Sequence, residues 1–94
     1  MLRQRQQMHH EPYMDVAPLI APKLHVLQVE GQVAYLIHRR DIGDPMPFLR
    51  AVQAYLWRML RHVAVRAHWW EPWTVGQEVN VLVVEVLGER EEGM

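Results

Sequence analysis

The sequence predicts an α+β fold, an antiparallel four-stranded sheet in the order β-β-α-β-β with one long amphipathic helix packed on one face. Three observations carry that expectation. A 3.6-residue apolar period runs through the middle of the chain, β-branched apolar runs flank it on both sides, and turn-forming residues separate the runs. The 94 residues, half of them apolar, make one domain of ordinary globular composition. The expected division is an N-terminal arm and extended Pro-rich segment over 1–22, a single α+β domain over 23–88 and an acidic tail over 89–94.

Residues 1–11 (MLRQRQQMHHE) read as a polar arm. Residues 12–22 (PYMDVAPLIAP) contain three prolines. Proline fixes φ and removes a donor, so this stretch reads as extended rather than as a central strand. Lys23–Glu30 and Gln32–Arg39 flank Glu30-Gly31. That arrangement predicts a β-hairpin whose tight turn uses the positive φ open to Gly31. After the loop Asp41–Pro47, Asp44 is a good N-cap with Pro45 in the first helical position, and the helix should run to about Arg61. Val63–Trp70 and Val79–Leu87 read as strands around a turn over Glu71–Gln77.

At ~100° per residue, Tyr55, Phe48, Met59, Val52, Val63, Leu56, Leu49 and Leu60 fall in one arc of about 140°, an amphipathic face meant for the core. The opposite arc holds Gln53, Trp57, Arg50, Arg61, Ala54 and Arg58. Trp57 stands there among arginines. It is either packed flat on their aliphatic stems or an interaction hot spot, since Trp and Arg are enriched in both settings.

The predicted strands are apolar on both sides. Val79, Val81 and Val83 alternate with Leu82, Val84 and Val86, and Val33, Tyr35 and Ile37 alternate with Ala34 and Leu36. A half-solvated antiparallel strand alternates apolar with polar. One helix of about 16 residues spans roughly 24 Å and covers one face of such a sheet. The second face needs another cover, either a further subunit or the segment bearing Tyr13, Met14, Val16, Leu19 and Ile20. The expectation is a homo-oligomer or a place in a larger protein assembly, with Leu82, Val84 and Val86 in the self-interface. In the cluster His68-Trp69-Trp70-Glu71-Pro72-Trp73, either Trp69 caps the core with Trp73 closing the loop over it, or Trp70 and Trp73 are further partner anchors beside Trp57, Arg50 and Arg61.

Nothing in the chain makes a catalytic signature. There is no Cys and no Ser, and Thr74 is the one hydroxyl besides the three Tyr. Ser–His and Cys–His machinery is thereby excluded, and no glycine-rich phosphate loop is present. His9-His10-Glu11 on the arm, and His25 with His38 across the expected hairpin, fall short of the three or four ligands a metal site needs. No catalytic residue, metal or cofactor is therefore expected. Residues 1–70 carry nine Lys/Arg against five acids, net +4, and residues 71–94 carry one Arg against six acids, net −5. Such asymmetry marks a basic surface and an acidic end.

The runner-up reading is a small nucleic-acid-binding module using Arg39, Arg40, Arg58 and Arg66 with the Trp side chains as stacking platforms. Val75-Gly76-Gln77-Glu78-Val79-Asn80-Val81-Leu82-Val83 resembles the strand entry of OB-type barrels. With Val16–Ile20 counted as a first strand, the resemblance implies a β-β-β-α-β-β order and an oligonucleotide-binding sheet face. The leading expectation remains a non-enzymatic structural or accessory subunit. Its size suggests a phage or mobile-element component by analogy. With no apolar signal core after Met1–Met8 and no run of about 18 apolar residues, the expected location is the cytoplasm or a virion or other assembly, with no membrane contact.

Overall fold

The structure, a computed structural model, describes residues 12–90, with side chains from Val16 onward. The polar arm over 1–11 and the tail over 91–94 lie outside the described residues. Helix α1 (Pro12–Ile20) leads through a 3-10 turn (Ala21–Lys23) into helix α2 (Leu24–Glu30). Strand β1 (Gln32–His38), a one-turn helix α3 (Arg39–Ile42), the long helix α4 (Pro45–Met59), strand β2 (Val63–Trp69) and strand β3 (Val79–Glu89) follow. The sheet has three strands in the order β1-β3-β2, antiparallel throughout. The fold is α+β, but the four-stranded β-β-α-β-β arrangement is wrong, because the expected first strand is helical.

The reason lies in Leu24–Glu30. Its apolar residues, Leu24, Val26, Leu27 and Val29, suit a strand apolar on both sides and also a helix with three-residue spacing, and the helix is the arrangement that buries Leu27 and half-buries Leu24 against the core. Gly31 closes this helix rather than a hairpin. Its φ of 89° is left-handed, and its N–H donates to Leu27 O at 2.8 Å. A helix C-cap and a tight hairpin turn make the same demand on glycine.

The Pro-rich stretch is likewise helical, not extended. Pro12 stands at the start of α1, where a missing N–H costs nothing. Pro18 lies inside the helix and removes one of its hydrogen bonds. Against that loss, Val16 and Ile20, four residues apart on one helix face, are 0% and 1% exposed. With Val16–Ile20 helical and the sheet limited to three strands, the topology implied by the OB resemblance is absent.

Helix α4 starts as its sequence dictates. Asp44 has extended backbone and its side chain accepts from Met46 N at 3.2 Å, with Pro45 in the first turn. Phe48, Leu49, Val52, Leu56 and, just past the helix, Leu60 are buried. The helix ends at Met59, two residues short of Arg61, and Met59 itself faces solvent.

The core lies between one sheet face and the helices. Val33, Tyr35 and Ile37 of β1, Leu82, Val84 and Val86 of β3, and Val65, Ala67 and Trp69 of β2 meet the buried residues of α1, α2 and α4. Helix α1 thus shares this face with α4 and does not cover the other one. Burial pushes the Tyr35 hydroxyl pKa up to about 12, since the charged phenolate is disfavoured away from water. Between β2 and β3 the pairing slips: Ala64 faces Gly88 while Val65 faces Val86, so Leu87 bulges without a counterpart.

Candidate interaction surface

Two strand registers build the open face of the sheet. Leu36 of β1 is paired with Val81 of β3, and Trp70 N donates to Val81 O at 2.7 Å, extending β2 by one residue. Leu36, Val81 and Trp70 therefore form a row across the sheet. The next row is Ala34, Val83 and His68, and the one after it is Gln32, Glu85 and Arg66. Strand alternation turns all of these away from the core. Leu36 and Trp70 are 68% and 65% exposed. Val83 is buried in the central strand yet stands outside the core cluster. Among the described residues no helix lies over this face.

The polar end of the face is an internally neutralised group. Arg66 donates from Nε to Glu85 Oε2 at 2.8 Å and from Nη2 to the same oxygen. His68 Nε2 stands 3.5 Å from that oxygen. The hydrogen bond from Arg66 is the main reason the Glu85 carboxyl titrates below its ordinary 4.5, with His68 adding to the effect. The result is an apolar centre bordered on one side by fixed, paired charge.

The self-interface expected of Leu82, Val84 and Val86 is corrected by this geometry. Leu82 and Val84 are 0% and 1% exposed under the helices, and Val86 packs against them. The side chains available on the sheet are those of the opposite parity.

The tryptophans part company. Trp70 is open. Trp69 packs against Phe48 with ring centroids 6.2 Å apart and donates from Nε1 to Pro45 O at 3.3 Å, which ties β2 to the start of α4. Trp73 meets Trp69 edge-on at 5.3 Å and carries the Arg39 guanidinium 5.2 Å from its ring centroid. Its Nε1 is buried without a hydrogen-bond partner. Trp73 thus packs as a lid on the loop over 70–78 and is not an open anchor. That loop is held by Asn80, the one buried polar residue among those described, whose Nδ2 donates to Glu71 O.

Trp57 is 66% exposed. The cation on its ring is Arg90, 3.5 Å from the centroid. Both Arg90 Nη atoms also donate to Trp57 O, at 3.2 and 3.0 Å, and Nε donates to Arg61 O at 2.9 Å. Arg90 therefore caps the last turn of α4, where carbonyls lack partners and a positive charge is favoured. Sequence reasoning missed it. The available signal was a lone arginine among the acids of residues 71–94. Arg50 on α4 and Arg61 just past its end are exposed.

The four arginines of the nucleic-acid reading do not gather. Arg39 lies on Trp73, Arg40 Nε is 3.8 Å from Asp41, Arg66 is bound to Glu85, and Arg58 lies in the last turn of α4. The β1 end next to Arg39 is paired with Val79, and Arg66 is paired with Glu85, six residues further along β3. That is about 20 Å of strand. His25 sits on α2 and His38 ends β1, so the hairpin that would have set them opposite each other is not formed. Comparison with protein-family models, with curated proteins and with solved structures finds no match.

Proposed function

We propose that this domain is a non-enzymatic assembly or accessory subunit that engages protein through the open face of its sheet. The observation that carries this reading is the row Leu36–Val81–Trp70, its two outer members exposed and Val81 half-buried between them, with paired charge at one border. An apolar centre with a polar rim is the anatomy of a protein–protein contact. Trp70 is the anchor, because a wide, amphipathic ring fixed beside a strand contributes large contact area at little entropic cost. Glu85 already holds Arg66, the arginine on this face, which favours a protein partner over phosphate.

A photo-crosslinking amino acid at position 70 tests this in cells that express the chain naturally. Adducts to protein, reduced by Leu36→Glu and insensitive to salt between about 0.05 and 0.2 M, are expected. Adducts to nucleic acid alone, or none, contradict the reading.

A further inference from the structure

The two edges of the sheet are finished differently. At β2, Gln53 of α4 donates from Nε2 to the outward carbonyl of Ala67 at 3.1 Å, and the bulge at Ala64/Val65 bends the strand. Arg66 adds a charge. These are the devices by which proteins blunt an edge.

Strand β1 has none of them. Its seven residues run in unbroken register from Gln32↔Glu85 to His38↔Val79, with no proline, no bulge and no Lys, Arg, Asp or Glu. Gly31 O accepts from Val86 N at 2.7 Å, and Arg39 N donates to Glu78 O at 2.8 Å. By alternation Val33, Tyr35 and Ile37 turn their backbone groups toward β3, and Gln32, Ala34 and Leu36 turn theirs outward. Among the described residues no strand or loop pairs with those outward groups. Beside this edge a cavity of about 280 Å³ opens between α1 and β1, lined by Leu19, Pro18, Leu36, Ile37 and Ile42 among others.

We propose that two copies of this chain pair antiparallel through β1, about a two-fold axis at Tyr35, into one continuous six-stranded sheet. The proposal rests on the assembly reading above and assigns one of its contacts. The strand is complementary to itself in this register. Ala34 stands opposite Leu36 of the second copy, small against large on the open face, and Gln32 stands opposite His38 of the second copy, polar against polar. All seven residues are used, and the outward N–H and C=O groups of Ala34 and Leu36 are satisfied twice over by symmetry. On the core face, Val33 of the second copy comes to the mouth of the cavity opposite Ile37. Sliding the register by two residues shortens the pairing and sets Leu36 against Gln32 or against its own copy. The pairing leaves Trp70 uncovered, so the open face remains available to a further protein.

Light scattering on the full chain across two orders of magnitude in concentration tests the proposal, combined with amide hydrogen exchange. The expected mass is twice 11.2 kDa, with the amides of Gln32, Ala34 and Leu36 protected as strongly as those of β3. Ala34→Pro removes an outward N–H that its own sheet does not use. It is expected to give a folded monomer by circular dichroism, and Leu36→Lys the same. A wild-type mass of 11.2 kDa throughout overturns the pairing. So does a dimer whose Ala34 and Leu36 amides exchange rapidly. Protein crosslinks at position 70 persisting in such a monomer leave the surface reading standing while the pairing fails.

Discussion

The two faces of this sheet are written in nearly the same residues and meet opposite fates. On one, Leu82, Val84 and Ile37 are almost wholly removed from water. On the other, one residue along each strand, Leu36 is exposed and Val81 half-buried, and of that set only Val83 in the middle of the central strand is shut off from water. Side-chain chemistry does not separate the two sets. What separates them is which face receives α1, α2 and α4. Apolar strand residues thus mark a surface that must be covered, while the choice of cover belongs to the rest of the chain on one side and to other molecules on the other.

That contrast gives the largest expected effect. Leu82→Ala removes a fully buried side chain between helix and sheet and should cost about 2–5 kcal/mol by urea denaturation. Val81→Thr, its neighbour on the open face, should change the stability of a dilute single chain by less than about 0.5 kcal/mol. Equal losses would erase the distinction between the faces.

Next come the two ends of α4. Asp44→Ala removes the cap on Met46 N and should cost about 1 kcal/mol. Arg90→Ala opens the last turn and should cost a similar amount, about 1 kcal/mol for a charged side chain donating to free carbonyls at a helix end. A double-mutant cycle of Arg90→Ala with Trp57→Ala should show coupling of about 0.5–1 kcal/mol from the stacked pair.

Smaller effects follow from titration. The hydroxyl of Tyr35 ionises near 10 when unfolded and near 12 in the fold. Its contribution is complete below pH 10 and is lost as pH rises toward 12, so Tyr35→Phe should flatten the alkaline limb of stability against pH. The smallest effect is at Glu85, whose lowered pKa makes its contribution present above about 4.5 and lost as pH falls below it. Arg66→Gln should remove that acid-side dependence in thermal melts.

Helix α4 was legible because its signals agree. Asp44 and Pro45 start it, and the spacing of Phe48, Val52 and Leu56 turns one face inward. Strands β2 and β3 were legible from their β-branched runs. The first third was not. Pro12–Pro22 carries breakers that burial of Val16 and Ile20 overrides, and Leu24–Glu30 reads equally as a strand apolar on both sides and as a short helix, while Gly31 suits the end of either. For the candidate surface, the excess of apolar strand was readable, but its parity was not. Alternation divides β3 into two sets and cannot say which set the helices take, so nothing in the sequence tells that Leu82, Val84 and Val86 are the set beneath them. Alternation puts Trp70 on the strand face of Arg66 and His68 and leaves Trp73 in the loop, but it does not say which of the two rings stays open. They differ because Trp70 continues β2, whereas Trp73 folds back onto Trp69. Arg90 was hidden by its acidic neighbours, since capping joins it to carbonyls some thirty positions away.

Trp57 and Trp70 supply an internal control for the claim that the open face is a protein contact, because their exposure in the single chain is almost the same, 66% and 65%. Hydroxyl-radical footprinting in the native cell extract, read by mass spectrometry, compares them within one molecule. The account expects Trp70 to be oxidised much more slowly than Trp57, with the difference abolished when the purified chain is diluted until it stands alone. Equal oxidation of the two rings in the extract would contradict it.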